Sequence, residues 1–259
     1  MGIHHAILLF FAGGFAGAVN AVAGGGSFVS FPTLLFTGVP PVPANATNTV
    51  ALLVGTAASG GAYRKRLTTP RRVLIPFVIA GLLGGLGGAF LLVKTPAETF
   101  LRVIPWMLLA ATLLFAFSRR ITKRFAAHIS HEASTAALAI AAGLELIVGL
   151  YGGYFGGGIG IIMLAIFSAL GMTDIHAMNA LKVILASVIN GVATIFFIVA
   201  KIVYWPQALV MTAGALIGGF TSAHLAQKLP HGLVRGVVIV CGCAMTAYFF
   251  YRGYFVGHS

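Results

Sequence analysis

One pattern occurs twice in this chain: a glycine cluster breaks an apolar run, and a short apolar segment, a turn and an asparagine-bearing apolar helix follow. The first copy runs Asn20-Ala21-Val22-Ala23-Gly24-Gly25-Gly26, residues 28–36, a Pro-rich turn and then Asn48 to Gly60. The second runs Gly152-Gly153-Tyr154-Phe155-Gly156-Gly157-Gly158, residues 161–170, a turn and then Asn179 to Gly191. With Gly24 set on Gly156, an offset of 132, one deletion in the turn brings Asn48 onto Asn179, Thr56 onto Ser187 and Gly60 onto Gly191. Three adjacent glycines spread around a helix instead of forming one packing stripe, and each weakens a helix interior by about 1 kcal/mol. A hydrophobic chain that repeats such a break is constrained to two related halves with helices interrupted at matching places, which is how a secondary-transporter site between repeats is built.

The setting of the repeat is a membrane. The chain is 59% hydrophobic and 8% charged, and several uncharged stretches reach about 18 residues or more, long enough as helix for a hydrocarbon layer about 30 Å thick. Eight apolar segments stand out: 6–37 and 135–170, each with a glycine break, and 43–63, 73–93, 101–117, 176–200, 206–226 and 233–251. The third members also correspond, since Gly81-Leu82-Leu83-Gly84-Gly85 resembles Gly214-Ala215-Leu216-Ile217-Gly218-Gly219, with Lys94/Pro96 and Lys228/Pro230 following. The expected fold is an all-α polytopic membrane protein, with about eight hydrophobic segments in two homologous four-segment repeats, each opening on a glycine-broken segment. It forms a single membrane domain over 1–259, with the first repeat at 1–117, a basic cytoplasmic connector at 118–134 and the second repeat at 135–259. Small residues four apart, such as Gly13/Gly17, Gly84/Gly88, Gly149/Gly153 and Gly214/Gly218, are expected to let helix backbones approach closely.

A net charge of +12 would suit nucleic acid, but the basic residues sit in short runs between apolar segments, Arg64-Lys65-Arg66 with Arg71-Arg72, and Arg119-Arg120 with Lys123-Arg124. They read as cytoplasmic anchors, and no groove-reading element accompanies them. Whether the halves are parallel (eight crossings) or inverted (each broken segment a re-entrant hairpin) stays open, because both arrangements put the two large basic loops on the cytoplasmic side. Cys241 and Cys243 fall on different helix faces and make neither a disulfide framework nor a metal clamp. No cofactor, metal or nucleic acid is expected; the expected partners are a small anion, the lipid bilayer, a coupling ion such as a proton, and a second copy of the chain.

An unwound glycine stretch inside a bilayer is tolerated where it is buried in protein or lines a wet cavity. It ends in a helix N-terminus at membrane depth, near Ser27 and near Ile159, whose free N–H groups and partial positive charge suit an anion. The candidate substrate-binding residues are therefore Gly24, Gly25, Gly26 and Ser27 at the first break and Gly156, Gly157 and Gly158 at the second. Asn48 and Thr49 join them from the next helix of the first half, and Asn179 and Lys182 from that of the second. Lys182 lies in an otherwise uncharged run and needs a partner or a watery cavity; substrate binding, snorkelling to the interface and a structural ion pair all satisfy that need. Glu145, the one carboxylate inside an apolar segment, is a candidate for pairing with Lys182, for carrying a coupling proton, or for an interfacial role. No GxxxxGK[ST] loop occurs, so energy would come from a gradient. A passive anion channel is the nearest alternative. An intramembrane enzyme is the more distant one, because no HExxH occurs, Gly25-Gly26-Ser27-Phe28-Val29 lacks the closing glycine of a GxSxG elbow, and four acids in the whole chain leave little acid–base chemistry.

Four motifs carry a family resemblance: Gly14-Phe15-Ala16-Gly17 through Gly24-Gly25-Gly26-Ser27-Phe28, Ala46-Thr47-Asn48-Thr49, Gly153-Tyr154-Phe155-Gly156-Gly157-Gly158-Ile159-Gly160, and Met178-Asn179-Ala180-Leu181-Lys182. Together they resemble the sulfite exporter TauE/SafE family of bacterial membrane transporters, and the likeness spans nearly the whole chain. The resemblance implies a transporter in the inner membrane for small anions, typically sulfite, sulfonates or other organosulfur compounds. It transfers no diagnostic catalytic residue.

Overall fold

The computed structural model describes residues 1–22, 25–63, 69–126, 135–169, 172, 174–225 and 231–256. Among them there is no strand, and ten α-helices follow one another: α1 (Ile3–Val22), α2 (Ser27–Phe36), α3 (Pro41–Tyr63), α4 (Arg71–Lys94), α5 (Ala97–Ala126), α6 (Thr135–Tyr154), α7 (Ile159–Ala169), α8 (Ile175–Val199), α9 (Trp205–Leu225) and α10 (His231–Tyr251). A short π-helical turn over Arg252–Val256 closes the chain. Both glycine clusters separate two helices, α1 from α2 and α6 from α7. The basic stretch expected as a connector over 118–134 starts as helix: α5 continues to Ala126, since Ser118-Arg119-Arg120-Ile121-Thr122-Lys123-Arg124 holds no glycine or proline to stop it. Arg64-Lys65-Arg66 and residues 127–134 lie outside the described residues.

By length and composition alone, three helical stretches among the described residues can cross a membrane: 3–20, 71–94 and 177–199. Ser27–Phe36 and Leu138–Tyr154 are apolar but shorter. Large apolar side chains such as Phe11, Ile79, Leu83, Ile147, Ile195 and Phe220 are exposed on the outside. That surface suits lipid, where burying apolar groups inside gains nothing and close packing holds helices together instead.

Two helix pairs make the closest seams. In the first, α1 lies along α9: a Cβ on Gly13 or Gly17 would strike the carbonyls of Met211 or Ala215, and one on Gly214 or Gly218 those of Phe10 or Gly14. In the second, α6 lies along α4, where Gly84 and Gly88 face the carbonyls of Leu146 and Leu150, and Gly153 faces that of Gly85. The small residues four apart thus bring backbone onto backbone, as expected. The remaining packing is reciprocal. Helix α3 meets α9 as α8 meets α4, α5 meets α7 as α10 meets α2, and α3 meets α8 as α5 meets α10.

The α5–α10 pair is antiparallel. Gly253 lies at Leu101, the Trp106 Nε1–H donates to the Tyr254 hydroxyl at 2.9 Å, the Trp106 ring packs edge-on to Phe250, and Gly242 lies at Thr112. As residue numbers rise along α5, their partners on α10 fall. The start of α3 likewise meets the segment after α8, through the Tyr204 N–H donating to Thr47 Oγ1 at 3.0 Å.

Candidate anion site

The two breaks are made differently. In the second, Gly156 (φ 78°) and Gly158 (φ 82°) occupy the left-handed region that residues with a Cβ seldom adopt, so the chain turns sharply between α6 and α7. The Tyr151 hydroxyl fastens this turn by donating to the Gly157 carbonyl at 2.7 Å. In the first, Gly26 is right-handed (φ −58°), and its reason is proximity: a Cβ there would meet the Ala16 carbonyl, so α2 folds back on α1. The Gly26 N–H is taken by Asn20 Oδ1 at 3.1 Å, and the Phe28 and Val29 N–H groups bond back to Gly25 and Gly26. The expected crown of free N–H groups at the start of α2 is thus largely used by the break itself. Asn20→Ala is expected to lower stability by about 1 kcal/mol through the lost cap, read from thermal unfolding in detergent.

The first half also holds the second half's break. Asn45 Nδ2, on α3, donates to the Tyr154 carbonyl at 2.7 Å, occupying one of the acceptors that α6 leaves free at its C-terminus. The Phe155 ring stands edge-on to Phe31 of α2 with centroids 5.8 Å apart.

Between these tips lies a cavity of about 50 Å³, lined by Asn20, Ser27, Asn48, Thr49, Leu52 and Thr56 from the first half and by Phe155, Gly156, Ile159, Gly160, Lys182, Val183, Ala186 and Asn190 from the second. Lys182 is the one charged residue among the described residues that line it, and no carboxylate does. Its stem crosses the first turn of α7, where a Cβ on Gly160 would sit 3.0 Å from Lys182 Cδ, and its ammonium donates to Asn179 Oδ1 at 2.8 Å. At 5% exposure the side chain is packed inside the protein rather than reaching out along its surface. An ammonium beside a helix N-terminus stacks positive charge on partial positive charge, and an anion between them relieves both.

The hydrogen-bond pattern sorts the polar lining. Thr49 donates to the Asn45 carbonyl at 3.0 Å and Thr56 to the Leu52 carbonyl at 2.9 Å, so each presents lone pairs to the cavity. Asn48 Nδ2 donates to Ser27 Oγ at 3.2 Å and its Oδ1 accepts from Ser30, which fixes the amide and leaves the Ser27 proton for the cavity. Two ammonium protons of Lys182 and the amide N–H groups of Asn20, Asn48 and Asn190 complete the donor set.

Of the residues expected at the site, Ser27, Asn48, Thr49, Gly156 and Lys182 line the cavity. Asn179 serves indirectly by holding Lys182, and Gly25, Gly26, Gly157 and Gly158 shape the breaks without lining it; Gly24 lies outside the described residues. Asn20, Asn190 and Gly160 line the cavity without having been assigned to it, although Asn190 shares the Lys182 face at helical spacing. Glu145 does not pair with Lys182. It lies on α6 in the α4–α6 seam, fully buried, and neither carboxyl oxygen has a hydrogen-bond partner among the described residues.

The family model "Sulfite exporter TauE/SafE" matches residues 9–249. The chain belongs to that family. It is similar to the "Probable membrane transporter protein" of Haemophilus influenzae, 29% identical over 98% of both chains. It also resembles the "Probable membrane transporter protein ORF9" of Sinorhizobium sp, 22% identical over 95% of this chain and 92% of the relative. A third relative, "Probable membrane transporter protein YfcA" of Escherichia coli K12, is 24% identical over 94% and 89%. No solved structure matches the chain. This TauE/SafE protein is a membrane protein and a membrane transporter of that type.

Proposed function

We propose that this TauE/SafE protein is a multi-pass secondary transporter of the inner membrane that moves a small anion carrying a sulfur oxyacid group, sulfite or a short sulfonate, through the cavity between the two glycine breaks. The observation that carries the reading is the cavity itself: both halves supply donors, and among the described residues its one charge is positive and no acid lines it. Its size sets the substrate. At about 50 Å³ the space holds more than one water and suits an anion with a single sulfur centre and few other heavy atoms.

The same reading includes two inverted repeats, 1–117 and 135–259, joined through 118–134. The reciprocal packing supports it. So does the antiparallel α5–α10 pair, because corresponding helices of parallel repeats would run the same way. In that arrangement α1–α2 and α6–α7 are re-entrant hairpins and the other six helices cross. The basic stretches 64–72 and 118–134 then fall on one side, in keeping with the positive-inside bias.

Thermal unfolding of the purified protein in detergent tests the substrate, with sulfite, thiosulfate, methanesulfonate, longer sulfonates and small carboxylates as probes. A ligand that binds only the folded state stabilises it by about 2.7 kcal/mol at a hundred times its Kd. Sulfite and methanesulfonate are expected to raise the melting temperature most, and longer sulfonates less. Stabilisation by none of the sulfur anions would remove the substrate assignment, and flux that never exceeds the imposed gradient would make the protein a channel.

A further inference from the structure

We propose that Glu145 is the proton-binding residue that couples anion movement to a proton gradient, acting from the α4–α6 seam and not from the anion cavity. The proposal rests on the transporter reading above and adds the coupling ion and its place. Glu145 is fully buried, both oxygens lack a partner among the described residues, and Oε1 lies 3.9 Å from where a Cβ on Gly81 would stand. The absence of a side chain at Gly81 is what makes room for the carboxyl.

Among the described residues nothing nearby compensates its charge. On α4, Arg71, Arg72 and Lys94 are exposed near the helix ends. On α6, Tyr151 is turned to Gly157 and Tyr154 to Thr95. On α8, Lys182 is bound to Asn179, and the His176 side chain lies outside the described residues. Helix α7 carries no titratable residue. An unpaired carboxylate in an apolar seam is costly, whereas the neutral acid is tolerated. The closed seam therefore accommodates Glu145 with its proton, and the ionised form favours a seam opened to water.

The seam reaches the anion site through Ile189 and through Ile159, which packs at Gly152 of α6 and lines the cavity. Ile189 of α8 packs against Gly81 and Gly85 on α4 and against Gly152 on α6, four residues before the turn at Gly156, and the next residue on α8, Asn190, lines the cavity. The counterpart seam between α1 and α9 has Gly13 at the place of Glu145; His4 and His5 stand at the start of α1, and the His224 side chain of α9 lies outside the described residues. Protonation thus biases one of two otherwise similar seams, which gives a proton leverage over which side of the transporter opens. The carboxyl takes a proton from the water on the side to which its seam is open, forming an O–H bond, and returns it by breaking that bond on the other side.

Liposomes carrying the purified protein test this with labelled sulfite and labelled methanesulfonate, the second an anion at every pH used, and protein-free vesicles as the baseline. Wild type is expected to exchange label at equal pH and to accumulate it under one polarity of pH gradient. Glu145→Gln is expected to exchange as wild type does and to lose accumulation down to the baseline, with Glu145→Asp restoring part of it. Gradient-driven accumulation in Glu145→Gln equal to wild type would overturn the proposal. If Glu145→Gln does not fold, a pH dye inside wild-type vesicles decides: protons moving with methanesulfonate support coupling, and anion flux without proton movement overturns it. Wild type that exchanges neither probe would remove the transporter reading, and this proposal with it.

Discussion

Lys182→Gln is expected to leave the protein folded and to weaken anion binding by roughly 10- to 100-fold, because a hydrogen bond to a charged group is worth about 1.5–3 kcal/mol and each 1.4 kcal/mol is tenfold in affinity. The glutamine amide can still donate to Asn179, so the local hydrogen bond survives and the charge alone is lost. Thermal unfolding separates a ligand role from a structural one. A buried ammonium without a carboxylate is a cost to the empty protein, so the variant without ligand should melt at the parent temperature or above it, and added sulfite should shift that temperature far less than in the parent. A structural cation would behave the other way, lowering the unliganded melting temperature and leaving the ligand shift intact. Lys182→Arg is not expected to restore binding: the stem already passes within contact of Gly160, and a planar guanidinium cannot fill the space of a compact ammonium.

The site was legible where a residue type was out of keeping with its surroundings. Lysine in an apolar run, paired asparagines and a repeated glycine cluster each conflict with a lipid-embedded helix, and the conflict marks the cavity. What the spacing could not convey was direction of donation. Thr49 and Thr56 share the cavity face, as helical periodicity requires, yet their protons are spent on carbonyls one turn back. Asn45 occupies the same helix end and is drawn instead to the Tyr154 carbonyl in the other half, a contact that no local pattern encodes. Asn20 was visible in the motif, but its part in capping Gly26 depends on the chain folding back, which follows from the Ala16–Gly26 approach in space.

The fold was legible as helices and breaks for the same reason: hydrophobic length and glycine position are local properties. Orientation was not. Positive charge constrains only which loops share a side, and both arrangements of the halves satisfied it. The antiparallel course of α5 and α10 bears on orientation through contacts between residues about 140 apart, such as Trp106 and Phe250, and these leave no mark in either segment alone. Helix α5 runs nine residues past its apolar part to Ala126, since Arg and Lys are good helix formers and mark only the end of the apolar part.

Gly153→Leu is expected to prevent the protein from folding, while Gly143→Leu, ten residues earlier on the same helix, is expected to be tolerated. At Gly153 a Cβ would fall on the Gly85 carbonyl oxygen and within 2.9 Å of Gly85 C and Cα, whereas at Gly143 nothing lies within 4 Å. Overpacking a side-chain core costs about 1–3 kcal/mol because neighbouring side chains can turn aside; here the obstacle is backbone, so the whole of α4 would have to move from α6. The open position gains instead, since leucine is a better helix former than glycine by roughly 1 kcal/mol or less. Size-exclusion profile and thermal unfolding in detergent give the comparison, with Gly153→Ala as the graded step between parent and leucine. Equal melting temperatures for Gly153→Leu and the parent would mean that α4 and α6 do not meet backbone to backbone. The reciprocal test is Gly218→Leu against the same parent, because Gly218 faces the Gly14 carbonyl in the α1–α9 seam. If both seams hold the halves together, each leucine should fail alike, and the first helix of either half will depend on the fourth helix of the other.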